Sequence, residues 1–166
     1  MRNIYHPLLE PYLGWPLILD SNLLLLHWCA TFDPSLIKTF KRLNVFELRD
    51  ISILEAVLQE LGELRTTPHV LTEVSNLSNA LPTWRKSAWT GHISGKVALV
   101  PEFHEAASAI LSDPDFAEFG LTDAALSRLA SAHVIMTIDW RLASSLRSRG
   151  LPGVNFQHLR SSSFPL

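Results

Sequence analysis

The chain has 166 residues, of which 47% are hydrophobic and 18% charged, a length and composition that predict one folded domain with its own core and exclude a disordered chain. The formal net charge of −2 excludes a general positive field, so a nucleic-acid partner would have to be held by local cations. The single cysteine, Cys29, excludes an internal disulfide and multi-cysteine metal sites, and it favours a reducing, cytoplasmic location.

The N-terminal sequence MRNIYHPLLEPYLGWP contains a glutamate and prolines, and it lacks the compact apolar region of a signal peptide, so none is predicted. The apolar run from Leu17 to Leu26 is too short to span a bilayer and contains Asp20. We therefore expect no membrane partner and interpret residues 1–166 as one domain.

The first half of the chain predicts one strand followed by helices. WPLILD reads as a short buried strand that ends at Asp20, and SNLLLLHWCATF is compatible with a helix. DPSLIKTFKRL predicts a helix capped by Asp33, and RDISILEAVLQELGEL predicts one with a single buried face. In TTPHVLTEVSNLSNAL, Thr67 is the expected cap, Pro68 opens the helix and Glu73 lies in its middle.

The next segments carry two tryptophans and then two further helical patterns. In TWRKSAW, Trp84 and Trp89 alternate with cations, a mixture able to stack bases, although we favour a helix whose tryptophans pack while the basic groups face water. PEFHEAASAILSD predicts a helix whose start the pattern does not fix, and SDPDFAEFG is interpreted as a solvated acidic loop. FGLTDAALSRLASA predicts a helix capped by Thr122, with Asp123 in its first turn.

The last segments predict a second strand and the fold class. HVIMTID reads as a buried strand ending at Asp139, WRLASSLRSRG as a helix closed by Gly150, and VNFQHL as one more strand. Helices that separate short, continuously apolar strands predict an α/β fold, a three-layer α/β/α sandwich around a short, mostly parallel sheet with right-handed crossovers.

Four carboxylates are predicted to meet at one edge of this sheet. Ligand sites in open parallel sheets lie outside the carboxyl ends of the strands, where Asp20 and Asp139 are placed. A helix antiparallel to the strands would start at this edge and bring Asp123 there. Glu73 lies about one and a half turns into its helix and can point back over the same edge.

Such a cluster predicts a divalent cation. Converging carboxylates raise one another's pKa and are poorly solvated when buried, so they need a counter-ion. The sequence has no cysteine pair and no metal-binding histidine spacing, which leaves hard oxygen ligands and favours Mg²⁺ or Mn²⁺ over zinc. Phosphodiester hydrolysis is the reaction that such a site serves most naturally.

The segments LILDSN, TPHVLTEVSNL, FGLTDAAL and VIMTIDWRLASSLRSRG resemble, in this order, the four acidic motifs of PIN-domain nucleases, the fold of VapC-type toxins. The resemblance covers about residues 15–159. It implies a PIN-like fold, metal-dependent cleavage of single-stranded or looped RNA, and four metal-binding catalytic carboxylates, which are Asp20, Glu73, Asp123 and Asp139.

Two further positions match the resembling family, and two features depart from it. Asn22 and Thr137 fall on family positions, where polar groups fix carboxylate rotamers or a metal-bound water. Trp140 stands where the family commonly has a small or charged residue, and the segment 29–65 is long for a minimal toxin. The departures concern the substrate rather than the metal.

Each carboxylate also has a purely structural interpretation. Asp20 and Asp139 can cap the helices that follow them, Asp123 can complement a helix dipole, and Glu73 can be a solvated helix residue. The functional interpretation depends on all four converging.

Four cations are candidate RNA contacts. Arg141 and Arg147 flank the last motif, and Arg85 and Lys86 belong to the tryptophan-bearing segment. Arg147 is equally suited to complement a helix C-terminus.

The sequence thus predicts a Mg²⁺- or Mn²⁺-dependent endoribonuclease, a candidate toxin of a type II toxin–antitoxin pair. RNA is the expected substrate, and the resemblance implies an antitoxin and a homodimer as partners. Two alternatives stay open. One is a catalytically silent PIN-like module that binds RNA or protein, and the other is a structure-specific DNA nuclease, for whose extra DNA-binding helices the chain has little room.

Overall fold

A four-stranded parallel sheet organises residues 6–161, the part of the chain that this computed structural model describes. Its strands are Leu17–Leu19 (β1), Leu64–Arg65 (β2), Val134–Thr137 (β3) and Gly153–Asn155 (β4). The strand order is β2-β1-β3-β4, and each neighbouring pair is parallel. Residues 1–5 and 162–166 of the predicted domain lie outside the described residues.

The strand order reverses direction between β1 and β3. The chain moves from β1 to β2 on one side of the sheet and from β3 to β4 on the other. Right-handed crossovers, the rule for parallel strands, then place the connecting helices on opposite faces, which is consistent with a three-layer α/β/α fold. Open α/β sheets bind ligands at such a reversal, outside the carboxyl ends of the strands.

The helices account for most of the remaining described residues. They are Ser21–Phe32 (α1), Leu36–Thr39 (α2), Leu48–Glu60 (α3), Pro68–Ser78 (α4), Thr83–Val97 (α5), Ala107–Ile110 (α6), Pro114–Phe119 (α7), Leu121–Leu129 (α8), Trp140–Ser148 (α9) and Phe156–Ser161 (α10). Short 3₁₀ turns cover Glu10–Tyr12 and Lys41–Leu43. Across residues 6–161, none of these helices combines the length and hydrophobicity needed to cross a membrane.

The central helix is α1, which packs against α3, α4, α5, β1 and β3. Its residues 23–26 are four consecutive leucines, and all four are buried. Trp28 and Cys29 continue the buried surface. A helix that is apolar around most of its circumference belongs in the interior, and here it connects the end of β1 to the helices that carry the rest of the candidate site.

Several predicted elements are confirmed. The strands expected before Asp20 and Asp139 are β1 and β3. The Thr67 hydroxyl accepts a hydrogen bond from the Val70 amide at 3.2 Å, so Thr67 caps α4 as expected. Gly150 has a φ of 73° and follows α9, which agrees with its predicted role in closing that helix.

Four predicted elements differ from the structure for local reasons. The single helix expected in DPSLIKTFKRL is interrupted at Phe40, whose backbone is extended, so only α2 and a 3₁₀ turn form. The strand predicted in VNFQHL ends at Asn155, whose side chain accepts from the Gln157 amide at 2.9 Å and starts α10. The helix predicted in PEFHEAASAILSD shrinks to α6, because residues 101–103 extend beside Thr66 instead.

The fourth difference is the acidic segment SDPDFAEFG, which is helical rather than a loop. Asp113 caps α7 by accepting from the Asp115 amide at 2.9 Å. The two tryptophans of α5 also differ from each other, since Trp89 is buried as expected whereas Trp84 is 75% exposed.

Candidate functional site

Asp20 joins the carboxyl ends of β1 and β3. The residue is 6% exposed, and its Oδ1 accepts a hydrogen bond from the Leu23 amide at 2.8 Å, which caps α1. Its Oδ2 accepts from the Thr137 hydroxyl at 2.6 Å and from the Ile138 amide at 2.9 Å. Burial raises the pKa of Asp20, and these hydrogen bonds act against the rise. Asp20 therefore caps a helix and also ties two strand ends together.

Asp139 is connected to Asp20 through one hydroxyl. The Thr137 hydroxyl, which donates to Asp20, accepts a hydrogen bond from the Asp139 amide at 2.9 Å. The Asp139 Oδ1 accepts from the amides of Arg141 at 2.7 Å and Leu142 at 3.4 Å, so it caps α9. Thr137 thus fixes the carboxylate of one strand end and the backbone of the next.

Glu73 on α4 is held by two hydroxyl groups from neighbouring helices. Its Oε2 accepts from Ser21 at 2.6 Å and its Oε1 accepts from Thr122 at 2.5 Å. Ser21 directly follows Asp20, and Thr122 directly precedes Asp123. Glu73 is an exposed residue of α4, but the two hydroxyl groups fix the position of its carboxylate.

Ser21 is a site residue that was not predicted, and Thr122 has a role other than the predicted helix cap. Thr122 does not cap α8, because the N-cap is Gly120, which has a φ of 84° and occupies the junction between α7 and α8. The Thr122 hydroxyl is thereby left to donate to Glu73. The sequence feature that could have indicated both residues is that each carries a hydroxyl group directly beside a predicted site aspartate, Asp20 or Asp123.

Asp123 lies in the first turn of α8 with the other three carboxylates around it. Burial and, to a smaller extent, the charges of Asp20, Glu73 and Asp139 together raise the pKa of Asp123 to about 7. Within residues 6–161, no hydrogen bond or ion pair to its carboxylate compensates for this repulsion. The structure therefore brings the four predicted carboxylates close enough to interact electrostatically.

The residues fit a hard cation by their chemistry, although they do not form a finished ligand shell. The carboxylates of Asp20, Glu73 and Asp139 that interact with Asp123 offer oxygen ligands, and such a set suits Mg²⁺ or Mn²⁺. Across residues 6–161, no three histidine, cysteine, aspartate or glutamate side chains are already grouped as ligands of one ion. The two oxygens of Glu73 accept one hydrogen bond each and retain a free lone pair, whereas Asp20 Oδ2 and Asp139 Oδ1 already accept two each.

The other predicted site residues occupy varied positions. The backbone N–H of Asn22, rather than its side chain, donates to the Asp20 carboxylate and lowers the pKa of Asp20. Arg141 follows Asp139 at the start of α9, where it pairs with Glu118 at 3.0 Å and lies 5.6 Å from the Phe119 ring centroid. Among the predicted cations, Arg141 thus shares the N-terminus of α9 with Asp139.

The remaining cations have other surroundings. Arg147 lies six residues further along α9, about 9 Å by helix rise, and lines a cavity of about 310 Å³ beside β4. Arg85 forms an ion pair with Asp33 and covers the ring of Trp84 at 4.6 Å. Lys86 lines a cavity of about 210 Å³ between α4 and α5.

No family model, curated protein or solved structure in the comparisons matches this chain. The resemblance to PIN-domain nucleases therefore depends on the four motifs and their order along the sequence.

Proposed function

We propose that this protein is a Mg²⁺- or Mn²⁺-dependent endoribonuclease of PIN type, in which Asp20, Glu73, Asp123 and Asp139 hold the metal. The observation that carries the proposal is the surroundings of Asp123, whose pKa is raised to about 7 by burial and by the other three carboxylates. Within residues 6–161, no salt bridge reaches any of the four. A divalent cation would remove this repulsion.

The position of the cluster in the fold supports the same proposal. Asp20 and Asp139 follow the two strands between which the sheet order reverses, where open α/β sheets bind ligands. The hydroxyls of Ser21, Thr122 and Thr137 hold carboxylates or their backbone in place. Groups of this kind orient metal ligands, so we assign these three as positioning residues.

The chain's own residues set the conditions for hydrolysis by water. When bound, a divalent cation polarises the phosphate and lowers the pKa of a coordinated water. Without a cation, Asp123 has a pKa of about 7 and is partly protonated at neutral pH, and this proton would leave when a cation binds the four carboxylates. Cys29 is buried and its pKa is raised to about 12, so it does not supply a protein nucleophile.

The wider biological role is proposed from the resemblance. We assign the protein as the toxin of a type II toxin–antitoxin pair that acts on cytoplasmic RNA and binds an antitoxin. For a homodimer, the partly exposed apolar residues Val45 and Leu48, at 51% and 46%, are the candidate contact surface between α2 and α3.

Cleavage of an end-labelled single-stranded RNA tests the proposal. Wild-type protein should cut the RNA with Mn²⁺ and should stop when EDTA is added, and Asp123→Asn and Glu73→Gln should abolish cutting. Glu55→Gln is the matched control for Glu73→Gln, because Glu55 is another exposed helix glutamate, on α3.

The outcomes separate the alternatives. Cleavage that survives EDTA and both site variants would overturn the metal mechanism. RNA binding without cleavage would favour the silent PIN-like module, and cleavage of flap DNA but not RNA, in a parallel assay, would favour the DNA nuclease.

A further inference from the structure

Trp140 is an exposed tryptophan that directly follows Asp139, one of the four carboxylates. Trp140 is the first residue of α9 and directly follows Asp139, whose side chain caps the helix and fixes its start. The residue is 67% exposed. Within residues 6–161, no aromatic ring or arginine covers its ring, whereas Arg85 covers the exposed Trp84.

Local charge gives a substrate little ionic attraction at this edge. The chain carries a net charge of −2, and the four carboxylates repel a polyanion. The neighbouring cation, Arg141, is paired with Glu118. Without a cation at the cluster, a nucleic acid that approaches it therefore needs a contact that does not depend on its phosphates.

The indole face of Trp140 supplies such a contact. Burial of exposed aromatic surface is favourable, and a base stacked on an aromatic side chain stabilises single-strand binding whatever its identity. Bases inside a duplex are already stacked on their neighbours, so an unpaired base is the group that this surface can receive.

We infer that Trp140 stacks on an unpaired base of the RNA that reaches the carboxylate cluster. The inference rests on the proposed nuclease function, which makes the carboxylate cluster the place where RNA is cut. The stacking itself is measurable without cleavage. Because Asp139 and Trp140 are adjacent, with Cα atoms about 3.8 Å apart, both residues lie at the start of α9.

Fluorescence anisotropy with a labelled single-stranded RNA in EDTA tests the stacking. Trp140→Ala should weaken binding roughly 5- to 150-fold, the range expected for loss of one base–aromatic stack. Trp140→Phe keeps an aromatic face and should retain most of the affinity. Trp15→Ala is the control, because Trp15 is a partly exposed tryptophan before β1, at the opposite edge of the sheet.

Two further measurements identify the kind of contact. The affinity lost in Trp140→Ala should be the same at low and high salt, whereas an ionic contact would fade with salt. A duplex of the same sequence should bind wild type and Trp140→Ala equally. Melting temperatures of all variants establish that each one folds.

The outcomes distinguish the inference from the proposed function. Equal binding by Trp140→Ala and Trp15→Ala, or a loss that is equal for duplex and single strand, would overturn the stacking role. A change from dimer to monomer in Trp140→Ala with unchanged RNA affinity would overturn it in favour of a protein contact. Trp140-dependent binding by a protein that does not cleave RNA with Mn²⁺ would support stacking and refute the nuclease.

Discussion

Replacing Asp123 with asparagine should make the metal-free protein more stable while it removes activity. The carboxyl group of Asp123 is half-buried. Burial and three neighbouring carboxylates raise its pKa from 3.8 to about 7. Asparagine has nearly the same shape and no charge at any pH. The substitution therefore removes the repulsion without opening a cavity.

The pH dependence follows from the direction of the shift. Because the folded-state pKa is raised, the folded protein holds this proton more tightly than the unfolded chain does. The stabilising effect of the protonated group is complete below the unfolded pKa of 3.8 and is lost as the pH rises through about 7. The advantage of Asp123→Asn should therefore be absent near pH 4 and largest above pH 7.

The size of the effect can be worked from the same shift. A rise in pKa from 3.8 to about 7 corresponds to roughly 4 kcal/mol at about 1.4 kcal/mol per unit, and partial solvent exposure reduces this to roughly 2–3 kcal/mol. For a chain of this size, each kcal/mol moves the melting temperature by about 2–4 °C. The variant should accordingly melt several degrees higher than wild type at pH 8 in EDTA.

Thermal melting followed by circular dichroism at pH 5 and pH 8 checks this prediction. Asp113→Asn is not a suitable control, because Asp113 forms an ion pair with Arg128. Adding Mn²⁺ should stabilise the wild type more than Asp123→Asn and so reduce the difference between their melting temperatures. Equal melting temperatures for the two proteins at pH 8 would refute the proposed repulsion, as would a difference that is the same at both pH values.

Three further substitutions probe the supporting structure. Thr137→Val removes the hydroxyl that donates to Asp20 and should lower the free energy of unfolding, measured by urea denaturation, by roughly 1–3 kcal/mol. Thr137→Ser should restore the stability. A urea midpoint unchanged in Thr137→Val would contradict the role of this hydrogen bond. Asp20→Asn should abolish cleavage in the RNA assay. It should also lower the urea midpoint, because the NH₂ group of the new asparagine would face the Ile138 N–H. Cleavage as fast as wild type would contradict the assignment of Asp20 as a metal ligand. Gly62→Ala should lower the midpoint, because a Cβ there would lie 2.5 Å from the Gly14 carbonyl oxygen, and unaltered stability would show that the backbone moves freely.

The sequence allowed the main strands to be predicted because they are buried on both faces. β1 and β3 are continuous apolar runs, and each is followed by an aspartate. β2 has only two residues, Leu64 and Arg65, and therefore offers no pattern to detect. The break at Phe40 depends on tertiary packing, which helix propensity does not encode.

The same distinction applies to the candidate site. The convergence of Asp20 and Asp139 follows from the rule that parallel strands end at one edge. The partners of Glu73 could not be read in this way, because Ser21 and Thr122 are 52 and 49 residues away in the chain. Their hydroxyls become neighbours only when α1, α4 and α8 pack together.

Calorimetric titration of the wild-type protein with Mn²⁺ tests the central claim most directly, namely that the four carboxylates form a cation site. At pH 6.5 we expect saturable binding accompanied by proton release, because the ion displaces the proton that Asp123 holds with a pKa of about 7. The released proton makes the heat depend on the buffer, and Asp123→Asn should abolish that dependence. Absence of Mn²⁺ binding at millimolar concentrations, or identical binding by Asp123→Asn, would contradict the account.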